Sequence, residues 1–128
     1  MIITLLFAFS ALSFSGFVSA GKHYTGPTAE CHFDKYSYSI GETMSIVISG
    51  SGGQADKGFF AFELKNPSTA TVYRSQLYWT SQFTDTVTYT LLPTDQTGSW
   101  YGQITYNVPS KRFVKTTILT NVEAIVNP

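Results

Sequence analysis

The 128-residue chain predicts an all-β sandwich of about seven antiparallel strands. Three observations carry that reading. Thr, Ser, Tyr, Val and Ile are abundant beyond Gly21, and these residues suit a pleated, half-buried surface. Short runs of alternating apolar and polar residues are separated by Gly, Pro, Asn and Ser clusters at strand-like spacing. No run of ten or more residues keeps a helical apolar period.

The elements follow in chain order. Glu30 to Ser39 is the first strand, with Cys31, Phe33 and Lys35 on one face and His32, Asp34 and Tyr36 on the other. Ile40-Gly41 breaks it. Glu42 to Ser49 alternates Met44, Ile46 and Ile48 with Thr43, Ser45 and Val47, so one face belongs to a core. Gly50 to Gly53 reads as a flexible loop. Phe59 to Lys65 sets Phe60, Phe62 and Leu64 against Phe59, Ala61 and Glu63. Asn66-Pro67-Ser68 turns the chain. Thr69 to Trp79 supplies one or two strands and Phe83 to Leu92 another. Pro93 to Gly98 is a turn. Ser99 to Val108 aligns Trp100, Gly102, Ile104 and Tyr106. After Pro109-Ser110, Lys111 to Val126 is one long strand or two pieces with a bend.

Residues 1–21 carry no charge, and the apolar run closes on Val18-Ser19-Ala20. Small residues there suit a signal peptidase, with the cut after Ala20. The expected organisation is a signal peptide over 1–20, a flexible tail over 21–29 and a sandwich over 30–128. The competing reading keeps residues 2–18 as an uncleaved anchor, since about 20 apolar residues can span a bilayer. Either way the module is expected outside the cell or at its surface.

Eight Lys+Arg balance eight Asp+Glu, so no basic excess exists to neutralise nucleic-acid phosphates. One cysteine forms no internal disulfide.

Two blocks carry a resemblance. Asp34-Lys35-Tyr36-Ser37-Tyr38-Ser39-Ile40-Gly41-Glu42-Thr43 resembles the opening of macroglobulin-like and bacterial immunoglobulin-like modules. Leu91-Leu92-Pro93 through Gly98-Ser99-Trp100 resembles their later Leu-Pro and Gly-x-aromatic block. The resemblance implies an immunoglobulin-like antiparallel β-sandwich. In it Tyr38 closes the core edge, Gly41 permits a reversal, and a Gly98 turn delivers Trp100 into the core. Such modules serve as spacers, adhesion units and binding domains, so fold alone does not assign function.

No catalytic constellation is legible. The histidines are His23, in the tail, and His32. No Gly-x-Ser-x-Gly elbow occurs, and the acids (Asp34, Glu42, Asp56, Asp85, Asp95) scatter over apparent turns. A secreted, non-catalytic structural or protein-binding module, acting through a sheet face or an edge strand and without cofactor or metal, is therefore expected. Cys31 is a buried small hydrophobe or an interchain thiol. Tyr73, Tyr78, Trp79, Phe83, Tyr101 and Tyr106 fall on strands expected to be close. Alternation turns Tyr101 outward if Trp100 is inward, and sends one of Tyr78 and Trp79 out. Tyr78, Trp79 and Tyr101 are the candidate binding surface. Its expected partner is an extracellular protein or a second copy, with a glycan as the alternative. Nucleic acid is not expected, and a membrane enters only if residues 2–18 remain an anchor. Lys111, Arg112 and Lys115 form a small basic cluster, read as a solvated strand start.

Overall fold

The computed structural model describes residues 26–68 and 72–128, and of residues 72–75 the backbone alone. The proposed signal or anchor, His23, most of the tail and the start of the Thr69–Trp79 strand lie outside the described residues. So does the side chain of Tyr73.

Among the described residues eight strands form: β1 (Thr28–Phe33), β2 (Ser37–Ser39), β3 (Thr43–Ser51), β4 (Phe59–Lys65), β5 (Val72–Tyr78), β6 (Phe83–Thr90), β7 (Gly98–Pro109) and β8 (Val114–Asn127). They make a three-stranded sheet, β1-β3-β6, and a five-stranded sheet, β2-β8-β7-β4-β5. Among the described residues there is no helix. Alternation drives the packing. Met44, Ile46 and Ile48 of β3 face Phe60, Phe62 and Leu64 of β4 and Trp100 and Ile104 of β7 across one core, and all eight are fully buried. Ala124 and Val126 of β8 close it. The buried core lies between Cys31 and Val126.

Several features differ from expectation. The single strand Glu30–Ser39 is two strands in different sheets. Asp34 accepts the Ser45 N–H and the Tyr38 hydroxyl, which bends the chain at this point. The bend carries Tyr38 into the five-stranded sheet, so Lys35 is exposed rather than beside Cys31 and Phe33. β2 then runs parallel to β8, so the sheets are not wholly antiparallel. Pairing starts at Thr28, two positions before Glu30, because Thr28 and Ala29 sit opposite Ser51 and Gly50. Gly50 and Ser51 accordingly belong to β3 and not to a loop; a β-carbon on Gly50 would lie 2.6 Å from the Phe83 ring.

The residues of the two resembling blocks take the local roles expected of them. Tyr38 is 1% exposed, Gly41 adopts φ 97° and β3 starts at Thr43. Gly98 adopts φ 118°, a region L side chains rarely enter, and Trp100 two residues on is fully buried. The Trp100 indole N–H donates to the Gln96 carbonyl at 2.8 Å, which satisfies its polar edge inside the core.

Candidate interaction surface

The outer face of the five-stranded sheet follows from register. Leu77, Ala61, Thr105 and Ile118 lie in one row across β5, β4, β7 and β8. The next row holds Phe59, Asn107 and Thr116, and the Trp79 ring packs on Phe59 with centroids 4.5 Å apart. Leu77 is 57% exposed, Trp79 55% and Ile118 61%. The polar groups among them are committed to one another. Thr116 donates to the Asn107 carbonyl oxygen at 2.7 Å, and the Asn107 amide donates to the Thr105 hydroxyl at 2.9 Å. Asn107 is buried, so this part of the face presents mainly carbon to solvent.

The three aromatics expected to form one surface are not brought together. Trp79 faces out. Tyr78 is opposite the buried Phe60 and stacks on Phe83 of the other sheet, with centroids 4.1 Å apart and planes 4° from parallel. Tyr101 does face out, in register with Lys65 and Glu123. It is six residues along β7 from Asn107, about 20 Å from the Trp79 row. Tyr106 is buried and exchanges hydrogen bonds with Gln54, its hydroxyl accepting from the backbone N–H at 2.8 Å and donating to the carbonyl at 3.0 Å. Alternation had already set Phe59 and Ala61 together on one face of β4. Which strands would lie beside β4, and in what register, is not a local property, so Leu77 and Ile118 were missed.

Cys31 is 3% exposed and belongs to the core. Its sulfur lies 2.8 Å from where a β-carbon on Gly102 of β7 would be, so sulfur and glycine mark a close approach between the sheets. Burial pushes its thiol up to about 12. An interchain disulfide is not open to the side chain in this position, because a partner's sulfur would have to enter the core. His32 points outward and meets Glu30 at 3.1 Å; both are exposed.

The carboxylates turn out to have structural partners. The Tyr38, Tyr78 and Tyr89 hydroxyls donate to Asp34, Asp85 and Asp95 respectively. Asp85 lies within β6 and not at a turn. Among the described residues no three His, Cys, Asp or Glu side chains converge as metal ligands. An open polar trough of about 490 Å³ lies on the three-stranded sheet beside Glu30, Ser49 and Thr84.

No protein-family model matches the chain. No curated protein matches it either. Among solved structures, Spo0M, a sporulation control protein from Bacillus subtilis, is similar at TM-score 0.48 and 11% identity, over 80% of this chain and 50% of that one. The chain thus spans about half the length of that protein.

Proposed function

We propose that the chain is an exported, non-catalytic, immunoglobulin-like module that binds another protein surface, a second copy foremost, through the outer face of its five-stranded sheet. The observation that carries the reading is the row Leu77–Ala61–Thr105–Ile118 with Trp79 and Phe59 beside it, in which Leu77, Trp79 and Ile118 are exposed apolar side chains and Ala61 and Phe59 are half-buried between them. Export is supported by the charge-free residues 1–21 ending in Val18-Ser19-Ala20. The immunoglobulin-like topology is supported by a first strand that splits between both sheets and by a three-stranded sheet built from β1, β3 and β6.

A protein partner fits better than a glycan. Sugar recognition needs free donors and acceptors beside the stacking ring. Here the Asn107, Thr105 and Thr116 groups nearest Phe59 are already bonded to each other.

Light scattering on residues 21–128 over a concentration series tests the reading. A dimer is expected that reductant leaves intact and that Leu77→Asp with Ile118→Asp dissolves. A strict monomer, or a dimer indifferent to those substitutions, overturns self-association through this face. Sequencing the N-terminus of the exported protein tests cleavage, with Gly21 expected first.

A further inference from the structure

A second surface lies at the end of the sandwich where β7 turns into β8. Every residue from Pro109 to Ile118 is exposed. The Ser110 N–H and hydroxyl both donate to the Phe113 carbonyl, at 2.8 and 2.9 Å, which fixes a tight tip. Asn107 is level with Phe59, the first residue of β4, and Ser110 is three residues farther on. The tip therefore projects about 10 Å past the neighbouring strand. Phe113 is 65% exposed and Val114 52%.

Charge is concentrated at the same place. Lys111, Arg112 and Lys115 are three of the chain's eight cations, and no acid occurs between Asp95 and Glu123. Among the described residues none of the three is ion-paired with a carboxylate. Asp56 and Lys57 of the β3–β4 loop, nearby at this end, offset each other.

The chain also enters the fold at this end. Thr28 is opposite Ser51, Gly52 lies against the Gly26 carbonyl, and the Gly53 N–H donates to the Ser81 carbonyl beside Trp79's loop.

We infer that the Ser110–Lys115 tip docks on an anionic lipid surface, with Phe113 and Val114 in the headgroup layer and Lys111, Arg112 and Lys115 against lipid phosphates. A convex apolar tip has no rigid groove to match on a folded protein without one being built for it, whereas a fluid interface receives it directly. The cations supply the attraction that one aromatic and one valine lack. Val114 continues the outward face of β8 beyond Thr116, but Leu77 lies on β5, three strands across the sheet from β8, so substitutions there tell the two contacts apart.

The test is co-sedimentation of residues 21–128, which hold both sheets and the described core, with vesicles. One set is phosphatidylcholine alone; the other adds phosphatidylglycerol. Binding is expected to the anionic vesicles only and to weaken with salt. A basic side chain near such a surface is worth roughly fivefold, so Lys111→Ala with Arg112→Ala is expected to weaken partitioning roughly 25-fold. Phe113→Ser is expected to weaken it as well, and Leu77→Asp to leave it unchanged. All these positions are exposed, and unchanged melting curves confirm that each variant folds. No binding, equal binding to both vesicle types, or anionic binding that survives the double substitution overturns the proposal. Loss with Leu77→Asp alone moves the contact to the sheet face and also overturns it.

Discussion

Asp34 and Cys31 show at the residue scale how ordinary side chains acquire fixed duties. Hydrogen bonds from the Tyr38 hydroxyl and the Ser45 N–H hold the Asp34 carboxyl below its usual range. A depressed carboxylate stabilises the fold at neutral pH, and that contribution is lost as pH falls through its folded value. Asp34→Asn is therefore expected to flatten the acid limb of the melting-temperature profile, measured by scanning calorimetry from neutral pH downward. An unchanged limb would place the acid sensitivity elsewhere. Cys31 runs the other way. Its raised thiol stays protonated in the fold while the unfolded chain ionises near the ordinary value. Stability from this group is complete below that ordinary value and falls as pH climbs toward about 12. At mildly alkaline pH the native thiol is expected to resist alkylation until denaturant is added. Prompt labelling would mean that β1 opens readily.

Between elements, Cys31 of β1 and Gly102 of β7 mark a close meeting of the sheets. A β-carbon at Gly102 would also lie 3.3 Å from the Phe33 ring, so two residues of β1 resist it. Gly102→Ala is expected to cost about 1–3 kcal/mol by overpacking. Cys31→Ala opens space on one side. In the double variant the cost of Gly102→Ala is expected to fall by about 1 kcal/mol, the coupling typical of residues in contact. Additive urea-unfolding energies would show that the sheets part to accommodate the methyl. Trp100→Ala belongs to the same layer, and its loss is expected to cost about 3–5 kcal/mol.

At the scale of the whole molecule, the fold separates stability from recognition. The buried core lies between the sheets, while Leu77, Trp79, Phe113 and Ile118 project from an outer face and one end. Leu77→Asp and Phe113→Ser are accordingly expected to shift stability by no more than about 0.5 kcal/mol. Unfolding in urea checks this, and a larger loss would assign either residue to the fold. Edges matter here too. β2 covers β8 only at Ile125–Asn127, so among the described residues the stretch Val114–Ala124 has β7 as its one neighbour within the sheet. Lys115 and the irregularity opposite Ile104/Thr105 are features that discourage uncontrolled edge pairing. They favour the sheet face over the β8 edge as the contact surface.

The sequence by itself determined the all-β class, the span of β4, and the shared faces Met44-Ile46-Ile48 and Trp100-Gly102-Ile104-Tyr106. Each of these depends on alternation or turn chemistry within a few residues, and period two is visible in one strand alone. Tertiary structure alone decided which strands are neighbours. That choice split Glu30–Ser39 between two sheets, buried Cys31 against Gly102, and turned Tyr78 toward Phe83. It also put Leu77 and Ile118 in one row although they are far apart in the chain. Partner choice and register depend on how two whole faces cover each other, so no short window of residues contains them.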